Sequence, residues 1–326
     1  MKIKHNFNKD ILKINDIESV VNTICNNLKN DIQKVLRRKG GIIGISGGID
    51  SSVTLALAVR AVGPDKIIGL MLPERDSSPE SLELAKKLAD KFSVKYEIEE
   101  ISGALDGLSC YKRRDDAVKK VFPEYDPINF KFKIGITPNP LNPSLPAIFN
   151  ATIIDSYGEQ NSKILPLAEY LQIVAASNFK QRTRMSMIYY YAEKLHYAVI
   201  GTPNKHEVQQ GFFVKNGDGG ADVMPIAHLY KTQVYQIARY LDIPQEIIDR
   251  TPTTDTYSAE QTQEEFFFQM PFHQMDLLWY AFENNFDAEE VGEVLGMTDK
   301  EVQGVFNGFV RKIKTTDYLR MSPIKY

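Results

Sequence analysis

The segment with the clearest capacity for chemistry is a polar loop at residues 46–52, which reads Ser-Gly-Gly-Ile-Asp-Ser-Ser. It lies between an apolar, β-branched run and a helical pattern. Two glycines allow a sharp turn that directs several N–H groups toward one point, and the start of the following helix adds positive character. The serine hydroxyls supply further donors. The loop therefore predicts a pocket for phosphate oxygens.

Asp50 is the unexpected residue in that loop, because a carboxylate repels an anion. Its position favours a divalent cation that bridges the carboxylate to the phosphates. No lysine follows the glycines, so the loop differs from the GxxxxGK[ST] loop of kinases and GTPases. The competing interpretation is an ordinary glycine turn before a serine-capped helix. The aspartate and the strand-to-helix setting favour phosphate binding.

A second group of polar side chains follows a predicted strand at 198–202. Ligands of open α/β sheets bind at the carboxyl ends of strands, so we expect this group near the phosphate loop. A solvated surface turn is the alternative for its glycine-rich part. The group comprises Thr202, Pro203, Asn204, Lys205, His206 and Glu207, followed by the stretch 211–222 with Lys215, Asp218 and Asp222.

Arginines and histidines near this group have less certain roles. Arg182 and Arg184 stand two positions apart on a predicted helix, about 200° around its axis, so we do not expect both to serve one pocket. His206 and His228 have no orienting partner that the sequence reveals. We expect both histidines to be structural.

The elements that must position these residues alternate between strand and helix. This alternation predicts an α/β fold with a doubly wound, mostly parallel sheet that is covered by helices on both faces. The patterns predict helices at 17–38, 53–63, 78–92, 178–197 and 229–241, and strands at 41–46, 66–74, 94–101 and 198–202.

We expect one domain, 1–326, with an insertion and a helical extension. Residues 103–177 form the insertion. Six prolines between 123 and 146 exclude a long regular helix there, so we expect an irregular segment. Residues 271–326 form the C-terminal extension, in which two or three helices are expected.

Composition excludes several functional classes. Lys and Arg total 39 against 42 Asp and Glu, so there is no overall basic field to hold nucleic acid. Cys25 and Cys110 are the only cysteines and have no metal-ligand spacing, which argues against structural zinc and a disulfide scaffold. No run approaches the roughly 20 apolar residues that span a membrane, and no signal peptide is apparent. We expect a cytoplasmic protein that contacts neither membrane nor nucleic acid.

The loop resembles the SGGxDS signature of the ATP-pyrophosphatase superfamily, and further segments resemble the NAD synthetase family in particular. The resemblance implies a Rossmann-like fold and an ATP-dependent ligase. Such a ligase adenylates the nicotinate carboxylate of deamido-NAD and converts it with ammonia to NAD, releasing AMP and pyrophosphate. The segments are SGGIDSS (46–52), LPERDSSPESLELA (72–85), QRTRM (181–185), GTPNKHE (201–207), FFVKNGDGGADVMPIAHLYKTQV (212–234) and PTTDT (252–256).

The resemblance also implies roles for individual residues. Asp50 and Glu207 match magnesium ligands, and Arg182, Lys215 and Asp222 match positions that hold deamido-NAD. Positions that match ATP-binding residues are Gly44, Ile45, Ser46, Gly47, Gly48, Ile49, Asp50, Ser51, Thr202, Lys231 and Thr253.

Three residues are the catalytic candidates: Asp50, Lys231 and Asp218. Negative charge builds on the phosphates during adenylation, where magnesium at Asp50 and the Lys231 ammonium would stabilise it. Asp218 would orient ammonium or accept its proton, and Asp222 is an equal candidate for that role.

The chain departs from the family pattern at three places, all on the acyl-substrate side. The insertion carries a charged cluster at 111–116, which either closes over substrate or forms a solvated helix face. Gln263 stands where the family has a carboxylate, and Leu319 where it has a basic residue. A ligase for a different carboxylate is therefore an open alternative. An RNA-modifying ATP pyrophosphatase and a non-catalytic nucleotide sensor fit the residues less well.

The nitrogen donor and the assembly follow from the same comparison. The phosphate loop begins at residue 46, which leaves no room before it for a glutaminase domain. We expect free ammonia, or a separate glutaminase subunit, to supply nitrogen. The resemblance also implies a homodimer, because the family's dinucleotide sites form across a subunit interface.

Overall fold

A computed structural model of the chain describes residues 6–137, 148–253 and 256–326, apart from the side chains of Thr137 and Glu265. The strands are β1 (Gly41–Gly44), β2 (Ile67–Met71), β3 (Lys95–Ile98), β4 (Lys131–Thr137), β5 (Ile148–Ile154), β6 (Gln160–Ile164) and β7 (Ala198–Val199). The helices are α1 (Ile17–Asn30), α2 (Ile49–Val62), α3 (Pro79–Lys91), α4 (Ser102–Gly107), α5 (Cys110–Val121), α6 (Leu167–Leu195), α7 (Lys205–Gln210), α8 (Lys231–Tyr240), α9 (Gln245–Asp249), α10 (Phe272–Glu283), α11 (Ala288–Leu295) and α12 (Asp299–Arg320). Short π-helical turns lie at Asp31–Val35 and Glu264–Phe268.

A parallel sheet in the order β3-β2-β1-β7 forms the centre of the fold. β1 pairs in parallel with both β2 and β7, and β2 pairs in parallel with β3. Residues on alternate positions of β1 face opposite sides. Ile43 packs with α1, α2 and α8, whereas Ile42 packs with α4 and α6. The predicted doubly wound α/β fold is confirmed.

The segment 103–177 is regular in its described part, so the prediction of an irregular insertion is wrong there. It holds α5, an antiparallel sheet in the order β4-β5-β6, and the first turns of α6. The sheet has a core of its own, in which Phe132 and Ile134 of β4 and Ala151 and Ile153 of β5 are buried. These side chains alternate with more exposed ones along each strand, as a half-buried antiparallel sheet requires.

The position of the prolines explains the error. Pro123 and Pro127 lie in the connection between α5 and β4, and the other four fall at 138–146, outside the described residues. The prolines therefore interrupt none of the described helices. α6 contains no proline and begins directly after Pro166, eleven residues earlier than the predicted start at 178.

The C-terminal extension contains three helices, α10, α11 and α12. They pack around Trp279, Leu278 and Phe309, and the N-terminal residues Phe7 and Leu12 join the same core. α10 also contacts α8, and α12 contacts α7, so the extension lies against helices that carry predicted site residues. In the part of the chain that the structure describes, no helix is long and apolar enough to cross a membrane.

Candidate active site

The candidate site lies at the carboxyl edge of the sheet, between β1 and β7. β2 lies on one side of β1 and β7 on the other, so the chain reverses its winding direction at β1. Such a reversal opens a crevice where ligands bind. A cavity at this place is lined by residues that follow β1, β2 and β7, by α6 and by residues 247–253. Most predicted ATP positions line it: Gly44, Ile45, Ser46, Gly48, Ile49, Asp50, Ser51, Thr202 and Thr253.

The phosphate loop turns directly into α2. Gly48 is extended and precedes the first helical residue, Ile49, so the helix N-terminus faces the cavity. Ser51 Oγ donates to Gly48 O at 3.0 Å and lies 3.2 Å from Ser46 Oγ. These bonds hold the loop in one shape before any ligand arrives, as an anion site at a helix N-terminus requires.

Gly47 forms the tightest point of this loop. Its φ is +74°, a conformation that other residues adopt only with strain. A Cβ atom at Gly47 would lie 2.4 Å from the backbone oxygen of Ser81 in α3. Only glycine therefore allows the loop to pass this close to α3.

Lys231 and Asp50 form a buried ion pair at the start of α2. The Lys231 side chain is fully buried, and its Nζ contacts Asp50 Oδ2. Asn204 joins this pair to Glu207. Its Nδ2 donates to Asp50 Oδ1 at 3.3 Å, and its backbone N–H donates to Glu207 Oε2 at 2.8 Å. A single asparagine thus ties together the two predicted metal ligands.

The electrostatics of this cluster are those of two acids that share one base. Burial and the charge of Asp50 raise the pKa of Glu207 to about 8. Burial alone would lower the pKa of Lys231, but the carboxylates of Asp50 and Glu207 raise it. Lys231 is therefore a fixed positive charge, whereas a further cation near Glu207 would stabilise its ionised form.

Asp218 and Asp222, which the sequence could not separate, occupy different places. Asp218 lines the cavity, and its Oδ1 accepts a hydrogen bond from the Val214 backbone N–H at 2.7 Å. The surrounding protein raises the pKa of Asp218 to about 6, although part of the side chain is open to the cavity. Asp222 accepts from the Val199 backbone N–H at 2.8 Å and is not among the residues that line the cavity.

The other predicted acyl-substrate residues also lie outside the cavity. Arg182 is exposed, with its Nε 3.4 Å from Lys215 O. Lys215 Nζ donates to Tyr318 O at 2.7 Å and Met321 O at 2.9 Å, at the end of α12. Arg184, by contrast, lines the cavity. The two arginines therefore serve different places, as their spacing predicted.

Several residues of the site had no role assigned from the sequence. Asn204 begins α7 with a capping box, and the Asn-x-x-Glu spacing of 204–207 is a signal that could have revealed it. Arg250 lines the cavity and donates to Ser81 Oγ at 2.9 Å, and no sequence signal pointed to it. His206 proves to have an orienting partner, Asp276, 70 residues away.

The charged cluster at 111–116 divides between two roles. Lys112 and Asp116 form an exposed pair on α5, as a solvated helix face would. Arg114 is buried and pairs with Asp76, which also accepts from Lys180 Nζ at 2.6 Å. This buried network fastens the segment after β2, which lines the cavity, to α5 and α6. The cluster thus supports the wall of the cavity.

Comparison with known proteins places this geometry in a family. The model of the family described as NAD synthase matches residues 20–122 and 150–323. The chain belongs to the NAD synthase family. An NH(3)-dependent NAD(+) synthetase from Rhizobium meliloti (strain 1021) is 47% identical over 317 residues, which cover 97% of this chain and 94% of the relative.

Solved structures agree with this assignment at the level of the fold. One is the NH3-dependent NAD synthetase from Campylobacter jejuni in complex with the nitrate ion, with a TM-score of 0.61, 22% identity, and coverage of 96% of this chain and 100% of the other. Another is the NMN synthetase from Francisella tularensis, with a TM-score of 0.58, 21% identity, and coverage of 95% and 98%. Two differently named enzymes share this fold, so the fold alone does not select the carboxylate.

The predicted NAD synthase family, the fold and the ATP-dependent, amide-forming ligase class are confirmed. The NAD synthase match also shows that less of the segment 103–177 departs from the family than the sequence predicted. Of residues 103–177, only 123–149 fall outside the family model, and the described part of this stretch contains β4 and the start of β5. α4, α5 and α6 therefore belong to the common family framework.

Proposed function

We propose that the protein is an ammonia-dependent NAD synthetase that amidates deamido-NAD. The observation that carries this function is the cluster of Asp50, Lys231, Asn204 and Glu207 beside a preformed phosphate loop. Relatives that are named NH(3)-dependent NAD(+) synthetase match nearly the whole chain. The cluster supplies the charges that adenylation needs, and the relatives supply the substrates.

Adenylation takes place at the phosphate loop. A nicotinate carboxylate oxygen attacks the α-phosphorus of ATP, the bond between the α-phosphorus and the bridging oxygen breaks, and pyrophosphate leaves. The N–H groups of the loop and the α2 N-terminus hold phosphate oxygens, and the Lys231 ammonium neutralises the charge that develops. This step needs position and fixed charge rather than a nucleophilic side chain.

Asp50 and Glu207 fit a magnesium site. Mg²⁺ prefers oxygen ligands and usually binds one or two carboxylates together with substrate phosphates. Burial and the charge of Asp50 raise the pKa of Glu207, and an added cation would stabilise its ionised form, which supports this assignment. Bound Mg²⁺ would supply charge neutralisation at the phosphates. Asp50 and Glu207 would hold it at the end of the phosphate loop.

Amidation uses the same cavity from its other wall. Ammonia attacks the acyl carbon, the bond to the AMP oxygen breaks, and the added nitrogen loses a proton to water. Ammonium must first lose a proton of its own to become ammonia. We assign Asp218 rather than Asp222 to hold ammonium and accept that proton, because Asp218 faces the cavity and Asp222 is bonded to the Val199 backbone. Its pKa of about 6 leaves it ionised at neutral pH.

The remaining parts of the proposal concern assembly. Arg182, Lys215 and Asp222 lie outside the cavity, so they would hold the far part of the dinucleotide at the surface. A homodimer that completes the site there is consistent with that position. A separate glutaminase subunit and a cytoplasmic location stay predictions.

One reaction tests the proposal directly. The pure protein is incubated with ATP, Mg²⁺, ammonium and deamido-NAD, and pyrophosphate and NAD are measured together. We expect equal amounts of both products, and no NAD when glutamine replaces ammonium. ATP–pyrophosphate exchange with nicotinate mononucleotide or another carboxylate, without exchange on deamido-NAD, would refute deamido-NAD as the substrate. The ligase chemistry would still stand.

A further inference from the structure

Asp276 is a fully buried carboxylate in α10, outside the cavity. Three donors surround it. Its Oδ2 accepts from the Thr232 backbone N–H at 2.7 Å, and its Oδ1 accepts from the Lys231 backbone N–H at 3.3 Å. Its Oδ1 also lies 2.5 Å from His206 Nε2. Asp276 therefore contacts the first turn of α8 and the ring of a residue in α7.

The His206 ring continues this contact inward. Gln210 Nε2 lies 3.2 Å from His206 Nδ1, and Gln210 Oε1 accepts from Lys312 Nζ of α12 at 3.3 Å. The contacts fit a ring that donates from Nε2 to Asp276 and accepts at Nδ1 from Gln210. Both ring nitrogens then have a partner, so the ring has one orientation.

Asp276 and His206 lie next to the backbone that carries Lys231 and Glu207. Lys231 is the first residue of α8, so the bond to its own backbone N–H fixes where its side chain starts. His206 directly precedes Glu207 in α7. We infer that Asp276 is a positioning residue that, through His206 and the first turn of α8, sets Lys231 and Glu207 at their places around Asp50.

Through Asp276, the C-terminal extension helps to position residues of the site. The loop 211–230 separates α7 from α8, and the Asp276 carboxylate joins the two helices from a third element, α10. A carboxylate accepts from all three donors, whereas an amide would turn its own NH2 group toward one of them. The Asp276→Asn substitution should therefore loosen one helix or the other while keeping the side-chain volume. The inference rests on the proposed role of Lys231.

A double-mutant cycle on nucleotide affinity tests the link. The dissociation constant of ATP with Mg²⁺ is measured by calorimetry for wild type, Asp276→Asn, Lys231→Met and the double variant. We expect Asp276→Asn alone to weaken ATP about tenfold, the worth of one charge-assisted hydrogen bond. In the Lys231→Met background its effect should fall below about threefold, because coupled residues are not additive. An equal effect in both backgrounds would overturn the inference.

Two comparisons separate positioning from general loss of stability. Asp287→Asn removes an exposed carboxylate from the turn before α11 and should leave ATP affinity at the wild-type value. If Asp276→Asn does not fold, His206 provides the second route. His206→Gln keeps a donor for Asp276 and His206→Phe removes it, so ATP affinity should be retained better in the glutamine variant. Equal losses in the two would refute the role of His206. ATP binding is measured without deamido-NAD, so a wrong acyl substrate would not disturb either result.

Discussion

The Gly47→Ala substitution is the sharpest test of the phosphate loop. Gly47 is not itself among the residues that line the cavity, yet it sets the path of its neighbours, which do. The added methyl group would lie 2.4 Å from Ser81 O and 3.2 Å from Leu84 Cβ, both in α3. Because Ser81 O is a backbone atom of a helix, the loop rather than α3 should move.

The cost has two parts. A left-handed conformation costs a residue other than glycine about 1–2 kcal/mol. Forcing extra volume into a packed place costs about 1–3 kcal/mol more. Gly296 is a matched control, because its φ of +72° is nearly that of Gly47 and its surroundings are open. Gly296→Ala should carry the first cost alone. The two variants should therefore differ by about 1–3 kcal/mol in unfolding free energy, or roughly 1–4 °C in melting temperature for a chain of this length.

Two assays follow from this difference. Thermal unfolding without nucleotide measures the stability gap between the two variants. Pyrophosphate release at varied ATP concentrations measures how well the loop positions ATP. For Gly47→Ala, kcat/KM should fall about 10²-fold, the loss that a displacement near 1 Å can cause. Gly296→Ala should keep wild-type kcat/KM. A Gly47→Ala variant as stable as Gly296→Ala and as active as wild type would refute the steric reasoning.

Three further substitutions test the charges of the site. Asp50→Asn should abolish release of AMP and pyrophosphate, and unchanged output would exclude Asp50 as a magnesium ligand. Asp76→Asn should cost about 3 kcal/mol of unfolding free energy, because it removes the acid that the buried Arg114 and Lys180 share and leaves each with one other acid. The control Asp106→Asn breaks an exposed pair at 2.8 Å and should cost under about 1 kcal/mol; similar losses in the two would show that burial is not the cause. Glu207→Gln tests the linkage to pH. The pKa of Glu207 is about 8 in the folded state against an ordinary 4.5, so the folded protein keeps a proton that the unfolded chain has lost. Denaturant unfolding of the nucleotide-free protein should show stability falling as pH rises from about 5 to 8. The glutamine variant should give a flatter profile, and an unchanged slope would remove Glu207 from the explanation.

The central sheet could be predicted because its signals are local. The apolar run of β1 and the helical spacing of α1 to α3 each lie within a few turns of chain, and their alternation defines a parallel sheet. The sheet β4-β5-β6 gives a weaker signal. Polar and apolar residues alternate over only a few positions of β4, and neighbouring prolines suggested irregular structure instead.

The site divides in the same way. The phosphate loop was predicted because its serines and Asp50 lie beside two glycines after a strand. Asp218 was a candidate because it lies in a charged, glycine-rich loop, whereas the role of Glu207 came from the resemblance to the family. The role of Asn204 was not predicted because its partner Asp50 is 154 residues away in sequence. The choice between Asp218 and Asp222 likewise needed the fold, since it rests on which of two neighbouring carboxylates faces the cavity.

The buried charges show where the chain departs from a plain phosphate site. A buried ion pair often contributes little net stability, because desolvation offsets the attraction between its members. The buried network of Arg114, Asp76 and Lys180 and the pair of Lys231 and Asp50 are then better explained by position than by stability. Asp76 and Arg114 support one wall of the cavity, and Lys231 is buried next to Asp50, which lines the cavity and pairs with its ammonium. Binding of Mg²⁺ and ATP would exchange partners within this set of charges, so the site need not gain or lose a bare charge at any stage.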